Sequence, residues 1–165
     1  MIMAFDPSST CTGWAIGEKS KVVKAGYVKP KQSLAAIERI EETICEVVGL
    51  LEFYKPDAVI IEETSGKIHN RIKKSNPSGL AVYGMAVGAV YATCVMHVIR
   101  QRCSVDTVKE NEWTHGSKKS ARQVMAGIYY PDYGEMKEFD KGMDISDAIC
   151  LLEWYFVNQR IKAMR

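Results

Sequence analysis

The fold is decided by the first sixteen residues, MIMAFDPSSTCTGWAI (1–16). The stretch begins with an apolar run of strand length that ends at Asp6. A Pro-Ser-Ser sequence then breaks the strand, and a second strand begins at Thr12. After a polar turn, residues 22–28 alternate with period two, which predicts a third strand. The short links between these strands predict an antiparallel meander at the start of a sheet.

The rest of the chain predicts helices that alternate with strands. Apolar residues recur at helical spacing from Ala35 to Tyr54, with Ser33 as the predicted N-cap, and Ala58 to Ile61 form a short buried strand. The later predicted elements are a helix over 79–99, a strand over 103–105, a helix over 117–129, a loop over 130–143 and a last helix from 143 or 144 to about Arg160. This order predicts a single α/β domain over 1–165, a five-stranded mixed sheet flanked by helices on both faces.

Length and composition exclude several classes of protein. The chain has 165 residues, 22 Lys and Arg against 20 Asp and Glu, and 47% hydrophobic residues. These values are ordinary for one globular domain, and they exclude a large two-domain enzyme and a disordered or collagen-like chain. The net charge of +2 gives no global sign of a nucleic-acid partner. Any such partner requires that the charge be segregated along the chain.

The cysteines indicate a reducing compartment. The chain has five of them, widely spread and without a C-x-x-C pair, at Cys11, Cys45, Cys94, Cys103 and Cys150. An odd, scattered set argues against a zinc site and against a secreted disulfide framework. The N-terminus also lacks the basic start and apolar stretch of a signal peptide. We therefore expect a cytoplasmic protein.

One segment, residues 79–99, contains no charged side chain and is long enough to span a bilayer. It carries the G-x-x-x-G spacing of packed membrane helices at Gly84 and Gly88. However, Gly, Ala, Thr, Tyr and His dilute its hydrophobicity, and a membrane span here would split the predicted domain. We therefore predict a buried or dimer-facing helix and no membrane association.

Four acidic residues could converge on one site. Asp6 and Glu62 lie where the first and fourth predicted strands end, so parallel neighbouring strands would bring them to the same edge. Asp144 and Asp147 are spaced i, i+3 and share one face of the first turn of the last helix. Glu63 points to the opposite side of its strand from Glu62, because side chains alternate.

Such a cluster is costly unless a cation offsets the repulsion. Mg²⁺ prefers oxygen ligands, and two ions can activate a water and stabilise the leaving oxygen of a phosphodiester. Each acid also has a structural interpretation that stays open. Asp6 could start a turn, Asp144 could be an N-cap, Asp147 could serve the helix dipole, and Glu62 could be solvated.

Three segments resemble the RuvC Holliday junction resolvases, in family order and at family-like spacing. MAFDPSSTCTGWAI at 3–16 resembles their opening strand–turn–strand, VIIEE at 59–63 their second acidic strand, and DISDAI at 144–149 their closing D-x-x-D-A helix. The resemblance covers Met1 to about Tyr155. The divergence, compactness and Lys-rich loop look more like phage or other divergent members than the bacterial housekeeping enzyme.

The resemblance implies an RNase H-like fold and nicking of four-way DNA junctions, in recombination and repair, and it leaves open other branched DNA as a substrate. Catalysis would depend on two Mg²⁺ ions, with Mn²⁺ as a substitute. By position, it makes Asp6, Glu62, Asp144 and Asp147 the catalytic metal ligands, and Lys109 and Lys119 basic residues near the DNA. It makes the 79–99 helix the interface of a homodimer. This chain departs from the family at Ser8, where bacterial members usually have Gly, and at Ser65, where they tend to have an aromatic.

Basic charge is concentrated in two runs. Residues 67–74, KIHNRIKK, contain no acid and follow Glu62 closely, and residues 117–122 form the second run. A run of charge alone is most often a solvated face, but beside an acidic metal site it favours contact with DNA phosphates. The DNA-binding residues predicted from the two runs are Lys67, Arg71, Lys73, Lys74, Lys118, Lys119 and Arg122.

Other functions stay open at this point. The DPSSTCTG turn also resembles the phosphate loop of sugar kinases and actin-like ATPases, although 165 residues are too few for their two domains. A catalytically silent junction-binding module would not need the four acids. A related nuclease that acts on RNA or hybrids is a further alternative.

Overall fold

The protein is described by a computed structural model that covers residues 1–63, 77–101 and 103–164. The strands are β1 Ile2–Pro7, β2 Thr12–Glu18, β3 Lys21–Val28, β4 Ala58–Glu63 and β5 Ser104–Lys109. The helices are α1 Ala36–Tyr54, α2 Pro77–Gln101, α3 Glu110–Thr114, α4 Lys119–Tyr129, α5 Tyr133–Met136 and α6 Asp144–Ala163.

The strands form the predicted five-stranded mixed sheet, in the order β3-β2-β1-β4-β5. β1, β2 and β3 are antiparallel neighbours, which confirms the meander predicted from residues 1–28. β1 pairs with β4, and β4 with β5, in parallel, as expected for strands linked through helices. The carboxyl ends of β1 and β4 therefore lie side by side in the middle of the sheet.

Helices cover both faces, because alternate residues of the central strands point to opposite sides. On one face Met3, Phe5 and Ile61 pack with residues of α1 and α2, such as Val47 and Val90. On the other face Ala4 and Ile60 pack with α6, whose residues 145–152 are all buried. The second face is the one that positions the acidic residues described below.

The structure differs from the predicted elements in four places. The short helix α5 lies in the predicted loop over 130–143, α3 lies in a segment to which no element was assigned, and β5 extends to Lys109. Ser33 is not the N-cap of α1. The cap position is Ala35, whose N–H donates to the Glu38 carboxylate at 2.7 Å. The carboxylate of Glu38, at the third helical position, thus accepts the N–H of the cap residue. This contact takes the place of the serine hydroxyl that was expected to cap the helix.

Helix α2 is apolar but not buried. It is long and apolar enough, by length and composition, to cross a membrane, yet only 17% of its most apolar window is buried within the chain. Ala86, Val90 and Cys94 face the core. The opposite side exposes a continuous apolar stripe, which consists of Leu80, Ala81, Gly84, Met85, Gly88, Tyr91, Ala92 and Met96. The expectation of a buried helix is therefore wrong, and the dimer-facing alternative remains.

Candidate active site

Asp6 and Glu62 occupy corresponding positions on adjacent parallel strands. Phe5 pairs with Ile61 in the register of β1 and β4, so the two acids follow at the same level. Because side chains alternate, both acids lie on the α6 face. Asp6 is only 8% exposed. Glu63 lies on the opposite, α2 face, where it lines a cavity with Tyr91.

Helix α6 brings Asp144 to the same sheet edge through an unusually close approach. A Cβ atom on Gly13 would lie 1.9 Å from the Asp144 carbonyl oxygen, so only glycine fits in β2 at this point. A Cβ on Gly142 would lie 2.3 Å from the Asp144 carboxylate. Gly13 therefore allows the start of α6 to lie directly against the sheet, whereas Gly142 leaves room for the Asp144 side chain.

The start of α6 is fixed by Asp140, a residue that the sequence reasoning missed. Its two carboxylate oxygens accept hydrogen bonds from the backbone N–H groups of Ile145 and Ser146, both at 3.0 Å. The Tyr133 hydroxyl donates to the same carboxylate at 2.8 Å. Asp140 is 3% exposed and satisfies two of the free N–H groups of the helix. Asp144 is consequently not the cap and keeps its carboxylate available.

The acids raise one another's pKa. Burial raises the pKa of Asp6 well above its ordinary value, and the charges of Glu62, Asp147 and Asp144 raise it further. Burial, together with the charge of Asp147, raises the pKa of Glu62 to about 7. The pKa of Asp144 is also raised by burial, against a hydrogen bond with Cys11 and the charge of Lys119 that lower it. The four predicted acids therefore lie within electrostatic reach of one another.

Asp147 is held by a buried arginine. Arg122 Nε donates to one carboxylate oxygen at 2.6 Å and Nη2 to the other at 3.0 Å. Lys119 Nζ lies 3.5 Å from the second oxygen. Arg122 is 5% exposed, because its α4 position faces the core four residues before the fully buried Ala126. The prediction that Arg122 contacts DNA is therefore wrong, since its guanidinium faces inward and is engaged by Asp147.

Trp113 links this ion pair to Glu62. Its indole Nε1–H donates to Glu62 Oε2 at 2.8 Å, and the Arg122 guanidinium lies 5.3 Å from the ring centroid. The chain Asp147–Arg122–Trp113–Glu62 thus connects an acid of α6 with the acid of β4. Trp113 packs in the core and also positions Glu62, a role that only the tertiary structure reveals.

The donor chemistry fits a hard divalent cation. Asp6, Glu62 and Asp144 supply carboxylate oxygens, and a cation would relieve the repulsion that raises their pKa values. Both oxygens of Asp147 are engaged by cationic side chains. Within residues 1–63, 77–101 and 103–164, no three His, Cys, Asp or Glu side chains lie together in an arrangement that could hold a metal ion by themselves.

The predicted basic residues have different positions. Lys109 and Lys118 are exposed. Lys119 lies at the rim of the acidic site, where its Nζ donates to the Gly142 carbonyl oxygen at 3.1 Å. The structure does not describe four of the predicted DNA-binding residues, which are Lys67, Arg71, Lys73 and Lys74. Ser65 also lies outside the described residues.

The substitution at Ser8 is compatible with the turn between β1 and β2. The Ser8 hydroxyl accepts the backbone N–H of Cys11 at 3.0 Å, and the Ser8 N–H donates to the Cys11 carbonyl at 3.0 Å. Ser8 does not adopt a positive φ, so the backbone does not require glycine here. A serine side chain closes the turn instead.

Comparison with known proteins agrees with the predicted resemblance. No family model matches the chain. The crossover junction endodeoxyribonuclease RuvC of Dictyoglomus thermophilum is 23% identical over 163 residues, which cover 96% of this chain and 98% of the relative. RuvC of Xanthobacter autotrophicus is 26% identical over 91% of this chain and 85% of the relative. RuvC of Alkaliphilus metalliredigens is 30% identical, over 53% of this chain and 57% of the relative.

Two solved structures of Thermus thermophilus RuvC share the fold. The structure of that protein in complex with a Holliday junction substrate superposes with a TM-score of 0.68 at 16% identity, covering 97% of this chain and 95% of the other. A second structure gives a TM-score of 0.66 at the same identity. The predicted RNase H-like fold is confirmed.

Proposed function

The chain is RuvC-like in sequence and in fold, and from this premise we propose that it is a structure-selective endodeoxyribonuclease. It nicks four-way Holliday junctions and other branched DNA in recombination and repair. The observation that carries the proposal is the pair Asp6 and Glu62, side by side at the ends of two parallel strands, with Asp144 at the start of α6 within electrostatic reach of Asp6. Free cysteines fit a cytoplasmic site of action, in a bacterium or in the host cell of a phage.

The acids serve to hold Mg²⁺, with Mn²⁺ as a substitute and two ions in each site. Asp6, Glu62 and Asp144 are the ligands whose raised pKa values favour a bound cation. The chemistry that two bound ions supply is activation of a water and stabilisation of the leaving oxygen of the phosphodiester. Arg122 and Trp113 orient Asp147 and Glu62 around them. The ligand role of Asp147 stays a prediction.

Exposed cations hold the DNA backbone. Lys119 at the rim of the site and its exposed neighbour Lys118 are placed to meet phosphates that approach the acids. Lys109 and, from the sequence alone, the cations of the run 67–74 are further proposed contacts with DNA phosphates. The affinity that such contacts give decreases as the salt concentration rises. The contacts carry little sequence information, as expected for a nuclease that selects DNA by its branched shape.

We expect the purified protein to nick a four-way junction when Mg²⁺ or Mn²⁺ is present, and a linear duplex at least tenfold more slowly. Four-way, forked and linear substrates of the same sequence, incubated with each ion or with EDTA, measure this on denaturing gels. Equal cutting of linear DNA would contradict structure selectivity. Thermal stabilisation by ATP, with none by branched DNA, would favour the phosphotransferase alternative.

We propose that two copies associate through the exposed stripe of α2. The stripe repeats on one helix face and includes two glycines that permit close approach, Gly84 and Gly88, and Met85 is 49% exposed beside them. A second copy would cover this apolar face and would place two sites on a two-fold symmetric junction. In this arrangement α2 lies in a subunit interface and not in a membrane.

The Met85→Glu variant is therefore expected to be monomeric at micromolar concentration, because the charge would be buried in the stripe. Sedimentation velocity of the wild type and the variant measures the mass. The control is Ile128→Glu, an equally apolar and exposed position (65%) on α4, which should leave the dimer intact. A dimeric Met85→Glu variant, or a monomeric wild type, would rule out this interface.

A further inference from the structure

A small cavity opens beside Asp144, at the start of α6. It has a volume of about 270 Å³ and lies between the turn after β1, the end of β3 and the segment that precedes α6. Asp144 forms part of its wall. A DNA strand whose phosphate reaches Asp144 therefore comes close to this opening. The volume is below the usual range of small-molecule pockets, which suits one planar ring system.

Two exposed aromatic side chains line the cavity. Phe139 is 67% exposed and Tyr27 is 45% exposed. Phe139 lies next to Asp140, the residue that fixes the start of α6, so the backbone beneath the ring is held in place. An exposed phenylalanine on a rigid segment contributes little to folding but offers a flat apolar surface. Such surfaces bind nucleobases by stacking, whatever the base.

The polar part of the lining fits the rest of a nucleotide. Lys29 and Lys141 are exposed cations at the cavity, suited to the phosphates that flank a base. Gln32 also lines it, and its side-chain NH₂ donates to the carbonyl oxygens of Thr10 at 3.1 Å and Pro30 at 2.9 Å. These bonds fix the orientation of the carboxamide, and its oxygen can accept a hydrogen bond from a base.

We propose that this cavity binds one unstacked nucleobase of the cleaved strand, close to the scissile phosphate. Phe139 and Tyr27 stack on the base, and Lys29 and Lys141 hold the adjacent phosphates. The inference rests on the proposed nuclease function and adds a subsite that holds one base, of any identity, near the cut. Unstacking a base costs least where the base is unpaired, so the subsite also favours branched DNA that exposes unpaired bases over linear duplex.

The test combines Phe139→Ala with removal of single bases from the junction. Abasic residues are placed one at a time within three nucleotides of the cut, and Kd is measured by fluorescence anisotropy with Ca²⁺ in place of Mg²⁺. For the wild type we expect one position at which the abasic residue weakens binding about 5- to 150-fold. Phe139→Ala should weaken binding of intact DNA by a similar factor and show no further loss at that position. Phe139→Trp should retain wild-type affinity.

Phe53→Ala is the matched control, since Phe53 is 79% exposed on α1 and is not part of the cavity lining. This variant should keep the full abasic loss. Additive losses in the Phe139→Ala variant, or a flat abasic scan, would overturn the subsite while leaving junction cleavage intact. Failure of the wild type to cut any branched DNA would overturn the proposed function, and the subsite with it.

Discussion

Asp6→Asn and Glu62→Gln are each expected to reduce junction cleavage on the order of a thousandfold or more, while the affinity for the junction is retained. Each substitution removes a carboxylate that can hold a cation at the point where charge develops, and keeps the size and the buried position of the side chain. The proposed contacts with DNA phosphates are made by lysine side chains, which both substitutions leave unchanged. The loss should therefore appear in kcat and not in Kd.

The same substitutions should stabilise the metal-free protein. The folded-state pKa of Glu62 is about 7, above its ordinary value of 4.5, so the folded state binds more protons than the unfolded state in this window. The contribution of Glu62 to the free energy of unfolding is therefore fully present below about pH 4.5, and it is lost as the pH rises through 7. Above pH 7 the ionised carboxylate costs a few kcal/mol, at about 1.4 kcal/mol for each unit of pKa shift. Asp6 has the same sign, because its pKa is also raised.

Thermal unfolding between pH 5 and 8 in EDTA, beside single-turnover cleavage in Mg²⁺, separates the two effects. Wild-type Tm should fall with rising pH and recover with Mg²⁺, whereas both variants should have a flatter pH profile and a smaller response to Mg²⁺. Glu63→Gln is the matched control, since it is the next residue of β4 but lies on the α2 face. Full cleavage by Asp6→Asn or Glu62→Gln would refute the assigned site.

The sheet could be predicted from the sequence because its signals are local. Alternation with period two identified β3, apolar runs identified β1 and β4, and the short links of the meander determined strand direction. The short helices α3 and α5 carry no such signal, since one turn of helix has no periodicity. For α2 the sequence left two alternatives, a buried helix and a dimer-facing helix, because composition does not tell what covers an apolar helix.

The site could be predicted only in part. Asp6, Glu62 and Asp144 were recognisable from their places at the ends of elements, and strand pairing followed from topology. Partners such as Asp140 and Trp113 depend on contacts between segments that are distant in sequence. Arg122 was assigned to the surface because it lies in a basic run. The spacing to Ala126 was the available signal that it lies on the buried face of α4.

Arg122→Met is expected to lower stability by about 3–5 kcal/mol at pH 7.5 in EDTA, because it leaves the buried Asp147 carboxylate without its bidentate partner. This corresponds to a fall in Tm of roughly 6–20 °C for a chain of this size. The double variant Arg122→Met with Asp147→Asn should recover most of the loss, since no uncompensated charge remains. Chemical denaturation of the two single variants and the double variant gives the coupling energy directly.

Lys118 is an exposed cation in the same basic run as Arg122. Lys118→Met is the comparison that distinguishes a residue that holds Asp147 from a residue that contacts DNA. It should leave Tm within about 2 °C of wild type and reduce the salt dependence of junction binding by about one unit of slope. Arg122→Met should show the reverse, with an unchanged salt slope. Mg²⁺ should restore part of its Tm, since a cation in the acidic site can replace the missing guanidinium charge. A reduced salt slope with normal stability would instead return Arg122 to the DNA-binding surface.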